Sequence, residues 1–154
     1  MKSGLRHDLD ALRSLFQEAD RLLAGWGCPE RADCCHFART GREPYLWANE
    51  WALLQMAISS RGLRHRSLLA VRRADLACPL LGTNGRCTVY SVRPLGCRTF
   101  FCEKGVGPLR RRPRDQLMEI GRRISDLARK EDPTSETPRP LSRWLEDWGK
   151  RRPP

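Results

Sequence analysis

The chain has 154 residues, seven of them cysteine, and its 29 Lys and Arg outweigh 18 Asp and Glu to give a net charge of +11. That length suits one domain able to bury about 68–70% of its unfolded surface, so a modest core is expected without help from metal. No apolar stretch reaches the ~18–20 residues of a membrane span, and Lys2, Arg6, His7, Asp8 and Asp10 leave no room for a signal peptide in Met1 to Leu12.

Leu5, Leu9, Leu12, Phe16, Ala19 and Leu23 recur at spacings of four and three, which predicts one amphipathic helix closed by Gly25 and Gly27. Cys28 to Arg39 reads as a turn-rich knot followed by a short extended piece over His36 to Arg39. Thr40 and Glu43 have the Thr-x-x-Glu spacing of a capping box, with Pro44 suited to the first turn of the helix that follows. Trp47, Trp51, Leu54 and Ile58 form that helix's stripe and are read as core. A further helix is predicted over Arg64 to Ala77, delivering the chain to Cys78.

Between Cys78 and Cys102 the helical period vanishes. Leu80-Leu81 and Thr88-Val89-Tyr90 flank Gly82-Thr83-Asn84-Gly85, a strong turn signal, and predict a small hairpin that brings Cys78 and Cys87 to one end. Arg93-Pro94-Leu95-Gly96 turns the chain again before Cys97. Leu117, Ile120, Ile124, Leu127 and Ala128 then predict a helix, Asp132 to Pro140 a linker, and Leu141, Trp144, Leu145 and Trp148 a short terminal helix. The fold expected is mainly α: a small helical domain over 1–131, wrapped around an irregular, turn-rich cysteine core with at most a short β-hairpin. Residues 132–154 then supply a linker, an amphipathic helix and a basic tail. The Trp144/Trp148 face is expected to dock on the domain, with a protein partner as the alternative.

The cysteines fall into two groups, Cys28, Cys34 and Cys35, then Cys78, Cys87, Cys97 and Cys102, each beside turn-making residues. Thiols gathered at turns either cross-link the chain or hold a metal. A chain kept in the cytoplasm meets a reducing thiol pool, and an odd count leaves one thiol over, so metal binding is the favoured reading. Thiolates select zinc or iron–sulfur clusters over calcium or magnesium. Yet separations of nine, ten and five positions match no ordinary zinc ribbon, so the metal stays open. Cys34 and Cys35, being adjacent, would point to opposite sides of an extended chain and serve two places. His36 is an additional candidate ligand.

Two stretches resemble a known family. Cys28-Pro-Glu-Arg31-Ala-Asp-Cys34-Cys35 is similar to the Cys-x-x-Cys-x-x-Cys-Cys box of the YkgJ-type cysteine-cluster proteins. The resemblance tightens over Cys78-Pro79-Leu80-Leu81, Gly85-Arg86-Cys87-Thr88-Val89-Tyr90 and Arg93-Pro94-Leu95-Gly96-Cys97-Arg98-Thr99-Phe100. It implies bound zinc or iron, with an iron–sulfur cluster among the forms iron would take. Arg31 stands where the family has its second cysteine. Either that ligand is dispensable, or Cys102 or His36 replaces it, or one site is altered. Relatives associated with protein methylation or labelled oxidoreductases do not transfer those activities through a metal motif alone.

Arg93 and Arg98 flank Cys97, where guanidinium groups would offset the excess charge of thiolates on a divalent ion and orient them from behind. No His-Glu-x-x-His, phosphate-cradling glycine loop or Ser/His/Asp arrangement accompanies the cysteines. A cysteine-rich metal protein is therefore the leading expectation, with an iron–sulfur-dependent enzyme, oxidoreductase or methylase-like, as the alternative. A nucleic-acid-binding module ranks third. The basic residues are 25 Arg and 4 Lys spread almost end to end, and the dense run Arg110, Arg111, Arg112 and Arg114 has no interleaved stacking aromatics.

Overall fold

A computed structural model describes residues 3–27, 32–63, 77–100, 107–108, 113–133 and 135–151. The four-and-three stripe of the first segment becomes helix α1, Ser3–Leu22, which buries Leu9, Leu12, Phe16 and Ala19 with Leu15 beside them. Its apolar face packs on α5, Arg114–Glu131, through Leu117, Ile120 and Ile124. Between them and the rest of the molecule runs α3, Ala48–Ser60. Leu53 on one side of α3 joins the α1–α5 cluster, whereas Trp51, Leu54 and Ile58 face a second cluster. A helix with apolar residues on two sides is buried rather than amphipathic, and α3 is accordingly the central element. Asn49, fully buried on it, donates from Nδ2 to the Ile124 carbonyl at 3.2 Å and accepts the Glu50 N–H at 2.8 Å.

The second cluster combines α3 with α6, Leu141–Arg151, and with Cys78, Leu80 and Val89 from the irregular centre. The terminal helix docks as its pattern predicts. Trp144 stacks on Trp51 at 5.8 Å between ring centroids and 13° between planes, while Trp148 meets Trp51 edge-on at 5.9 Å. Trp144 and Trp148 are 8% and 4% exposed, so this face is spent inside the chain. The Trp144 Nε1–H donates to the Leu46 carbonyl at 3.1 Å. Leu46 belongs to β1, Tyr45–Leu46, which pairs antiparallel with β2, Arg139–Pro140, in the register Tyr45 opposite Pro140.

Several local expectations need correction. His36 to Arg39 is not extended: a 3-10 turn at Asp33–Cys35 leads into α2, Phe37–Thr40, which ends at Gly41 with φ 63°. Thr40 and Glu43 do not open a helix at Pro44, because the strand intervenes and α3 starts only at Ala48. Glu43 instead accepts the Ser142 N–H at 2.6 Å and caps the far helix α6. The hairpin turn after Leu81 is present as a turn without strands. Thr88 N–H donates to the Leu80 carbonyl at 2.9 Å, Gly82 N–H to Arg86 at 2.8 Å, and Gly85 takes φ 74°. The Arg93–Gly96 turn condenses into one helical turn, α4, Leu95–Arg98, after Pro94. The helix predicted over Arg64 to Ala77 lies outside the described residues apart from Ala77.

At the edge of the α1–α5 pair, Gly107 has φ 117° and its backbone abuts the turn after α1. A Cβ there would lie 2.4 Å from the Gly25 carbonyl oxygen. Only glycine fits that backbone angle and that approach.

Candidate metal centre

Backbone pairing brings the two cysteine groups together. Cys78 N–H donates to the Cys35 carbonyl at 2.6 Å, and His36 lies opposite Ala77 in an isolated antiparallel bridge. The turn at Gly82–Gly85 returns the chain so that Cys87 sits opposite Leu81. One turn of α4 then presents Cys97. As a result Cys34, Cys35, Cys78, Cys87 and Cys97 all line a single cavity of about 340 Å³. Its walls are otherwise largely apolar, with Phe37, Leu54, Leu80, Val89 and Leu141, while Arg86, Tyr90 and Arg93 also line it.

The thiols are close-set along this wall, Cys35 interacting with both Cys34 and Cys78. The interaction with Cys35 pushes the Cys34 thiol far up, with burial adding to the effect and Arg93 pulling the other way. The interaction with Cys34 pulls the Cys35 thiol down, but Cys78, burial and the neighbouring thiols prevail and push it up to about 12. Burial pushes Cys87 and Cys97 up, Cys97 further by Cys35, Cys34 and Cys87. The shared cause is crowding of ionisable sulfurs in a poorly hydrated space. Such a set resists carrying several negative charges until a cation arrives to compensate them. Among the described residues no group of three or more His, Cys, Asp and Glu side chains has the spacing of a closed ion site. The donor chemistry nonetheless fits a thiophilic metal, since five thiols share one enclosure and, among the described residues, no carboxylate lines it.

His36 is part-buried next to the pair but does not line the cavity. Cys28 and Cys102 lie outside the described residues, as do Arg31 and Arg110 to Arg112; Arg114 is exposed at the start of α5.

The two arginines beside Cys97 part company. Arg93 lines the cavity, and its charge lowers the thiols of Cys34, Cys87 and Cys97. Its Nε donates to the Tyr90 carbonyl at 3.2 Å, with the guanidinium 3.6 Å from the centre of the Tyr90 ring. Arg98 turns away, with a side chain only 3% exposed. It donates to the Arg93 carbonyl at 2.7 Å, to the Ser91 carbonyl at 2.6 Å and to Asp20 of α1 at 2.5 Å, and lies 4.4 Å over the Phe16 ring. It clamps the cysteine-bearing turn to α1.

Glu50 went unnoticed in the sequence, because nothing local sets it apart from any acidic residue in a first helical turn. It is 3% exposed. Burial pushes its carboxyl up to about 7, against the N–H groups of Leu95 and Trp47 and the charge of Arg98, all of which favour the ionised form.

A model of the family described as "CxxCxxCC: Putative zinc- or iron-chelating domain" matches residues 27–117, more than half of the chain. The chain belongs to this family. The CxxCxxCC match includes all seven cysteines, and also α3 with Glu50, but neither α1 with Asp20 nor α6. No curated protein and no solved structure matches the chain significantly. Among the described residues, no helix is long and apolar enough to cross a membrane.

Proposed function

We propose that this chain is a cytoplasmic metal-binding protein that holds zinc or iron through its cysteine cluster. The observation that carries the reading is the meeting of five thiols from three separate segments at one cavity, within a chain of the CxxCxxCC family. Cys34, Cys35, Cys78, Cys87 and Cys97 are the proposed ligand pool. Cys28 and Cys102 complete the family's cysteines, and His36 serves as a reserve ligand. Arg93 is placed to offset thiolate charge, as its effect on three of the thiols indicates. A bound ion would cross-link the 34–35, 78–87 and 97 segments, and such binding energy is partly folding energy.

Metal analysis of protein purified without oxygen tests the reading. Stoichiometric zinc or iron is expected, falling in Cys87→Ser and Cys97→Ser together with thermal stability. A broad absorption band near ~400 nm that bleaches on reduction would identify an iron–sulfur cluster. Metal content that stays at wild-type level in both variants would remove these residues from the site, and metal-free protein would refute the proposal.

A further inference from the structure

Glu50 sits in the first turn of α3 and sends its two carboxylate oxygens to two different helix starts. Oε2 accepts the N–H of Trp47, the residue before α3, at 2.9 Å. Oε1 accepts the N–H of Leu95, the first residue of α4, at 2.8 Å, across 45 positions of sequence. Helix starts leave N–H groups without intrahelical partners, and a buried one is costly to leave unpaired. The single turn of α4 has no side-chain cap from its own N-terminal neighbour, Pro94. A carboxylate from the central helix fills that role. Glu50 is itself fixed: its N–H donates to Asn49, whose amide holds the Ile124 carbonyl of α5. The opposite end of α4 is held by Arg98 on Asp20. Cys97 thus lies between two anchors, one on α3 and one on α1.

We infer that Glu50 is a positioning residue for the cysteine cluster, its bridging carboxylate holding the Leu95–Arg98 turn so that Cys97 faces the other thiols. This rests on the proposed function only for its consequence, weaker metal retention when the turn is released. The placement of Cys97 can be read without metal.

The test is site-resolved alkylation of the chelator-treated chain, followed by mass spectrometry at each cysteine. Glu50→Gln preserves shape but offers one oxygen and an amide NH2, so it cannot serve both N–H groups. Leu95→Pro removes the N–H from the other side. Proline suits a first helical position, and Pro94 already has the extended ψ of 160° that a following proline demands. Either variant is expected to speed alkylation of Cys97 about tenfold, as loss of one buried hydrogen bond would, with Cys35 and Cys78 unchanged. Equal acceleration at all described cysteines would mean that Glu50 supports the fold as a whole, and would overturn the inference. So would an unchanged Cys97 rate in both variants. If Glu50→Gln fails to fold, Leu95→Pro decides alone. A metal-free wild type would sink the proposed function yet leave this contrast between cysteines intact.

Discussion

Replacing Arg98 by alanine should be the most damaging single change outside the apolar core. The side chain, itself buried, donates to two main-chain carbonyls, Arg93 and Ser91, in part-buried bonds, and both would lose a charged donor. Hydrogen bonds to charged groups contribute ~1.5–3 kcal/mol each, so the pair at the low end sets about 3 kcal/mol. The bond to Asp20 adds little, because that carboxylate is 51% exposed and rehydrates. Loss of the Phe16 contact adds about 0.5–1 kcal/mol. Relief of the desolvated guanidinium works in the opposite direction. The net expectation is a loss of about 3 kcal/mol, or roughly 10 °C in melting temperature for a domain of this size. Denaturant unfolding followed by circular dichroism measures it. Arg98→Lys keeps the charge but cannot span three acceptors and should fall between. Arg98→Met refills the volume without donors. If the methionine variant matches or exceeds wild type, desolvation outweighs the bonds, and the clamp contributes no stability.

Three further outcomes follow from the same geometry. Glu50 has a folded pKa near 7, above its ordinary 4.5, so the folded state holds a proton that the unfolded chain releases. The stabilisation from this proton is complete below pH 4.5 and disappears as pH rises through 7, by about 3 kcal/mol in all. Metal-free protein should therefore melt lower at pH 8 than at pH 5, with a flatter profile in Glu50→Gln; parallel profiles would contradict the assignment. Trp144→Phe removes the Nε1–H bond to Leu46 and part of the stack on Trp51, and should cost about 2 kcal/mol in denaturant unfolding while exposing the 135–138 segment to protease. Gly107→Ala meets the Gly25 carbonyl and a disfavoured φ. A drop of at least about 2 kcal/mol is expected, and an unchanged melting temperature would show that the close approach is not required.

The sequence announced what depends on periodicity. α1, α5 and α6 appear where four-and-three spacing puts them, because each buries one stripe and the stripe alone selects the helix. The cysteines announced themselves by number and by turn-making neighbours. Hidden were the contacts decided by tertiary approach. Glu43 looked like a local cap and serves α6 instead, and Glu50 caps α4 across 45 positions. Arg98, one residue from Cys97, looked like its partner; helical geometry swings it to the other side of the turn, onto α1. No spacing rule carries this information, since the donor and acceptor meet only after the helices have packed.

Leu141 and Asp20 lie beyond opposite ends of the stretch that matches the family, yet one walls the thiol cavity and the other secures the Cys97 turn. The stretch that carries the CxxCxxCC match is therefore shorter than the part of this polypeptide that assembles the cavity. An excised 27–117 fragment would lose α1, α6 and all but the first turn of α5, uncovering α3 and leaving the cavity unwalled on the Leu141 side. Grafting the cysteine motif into another scaffold would demand substitutes for all three of these helices.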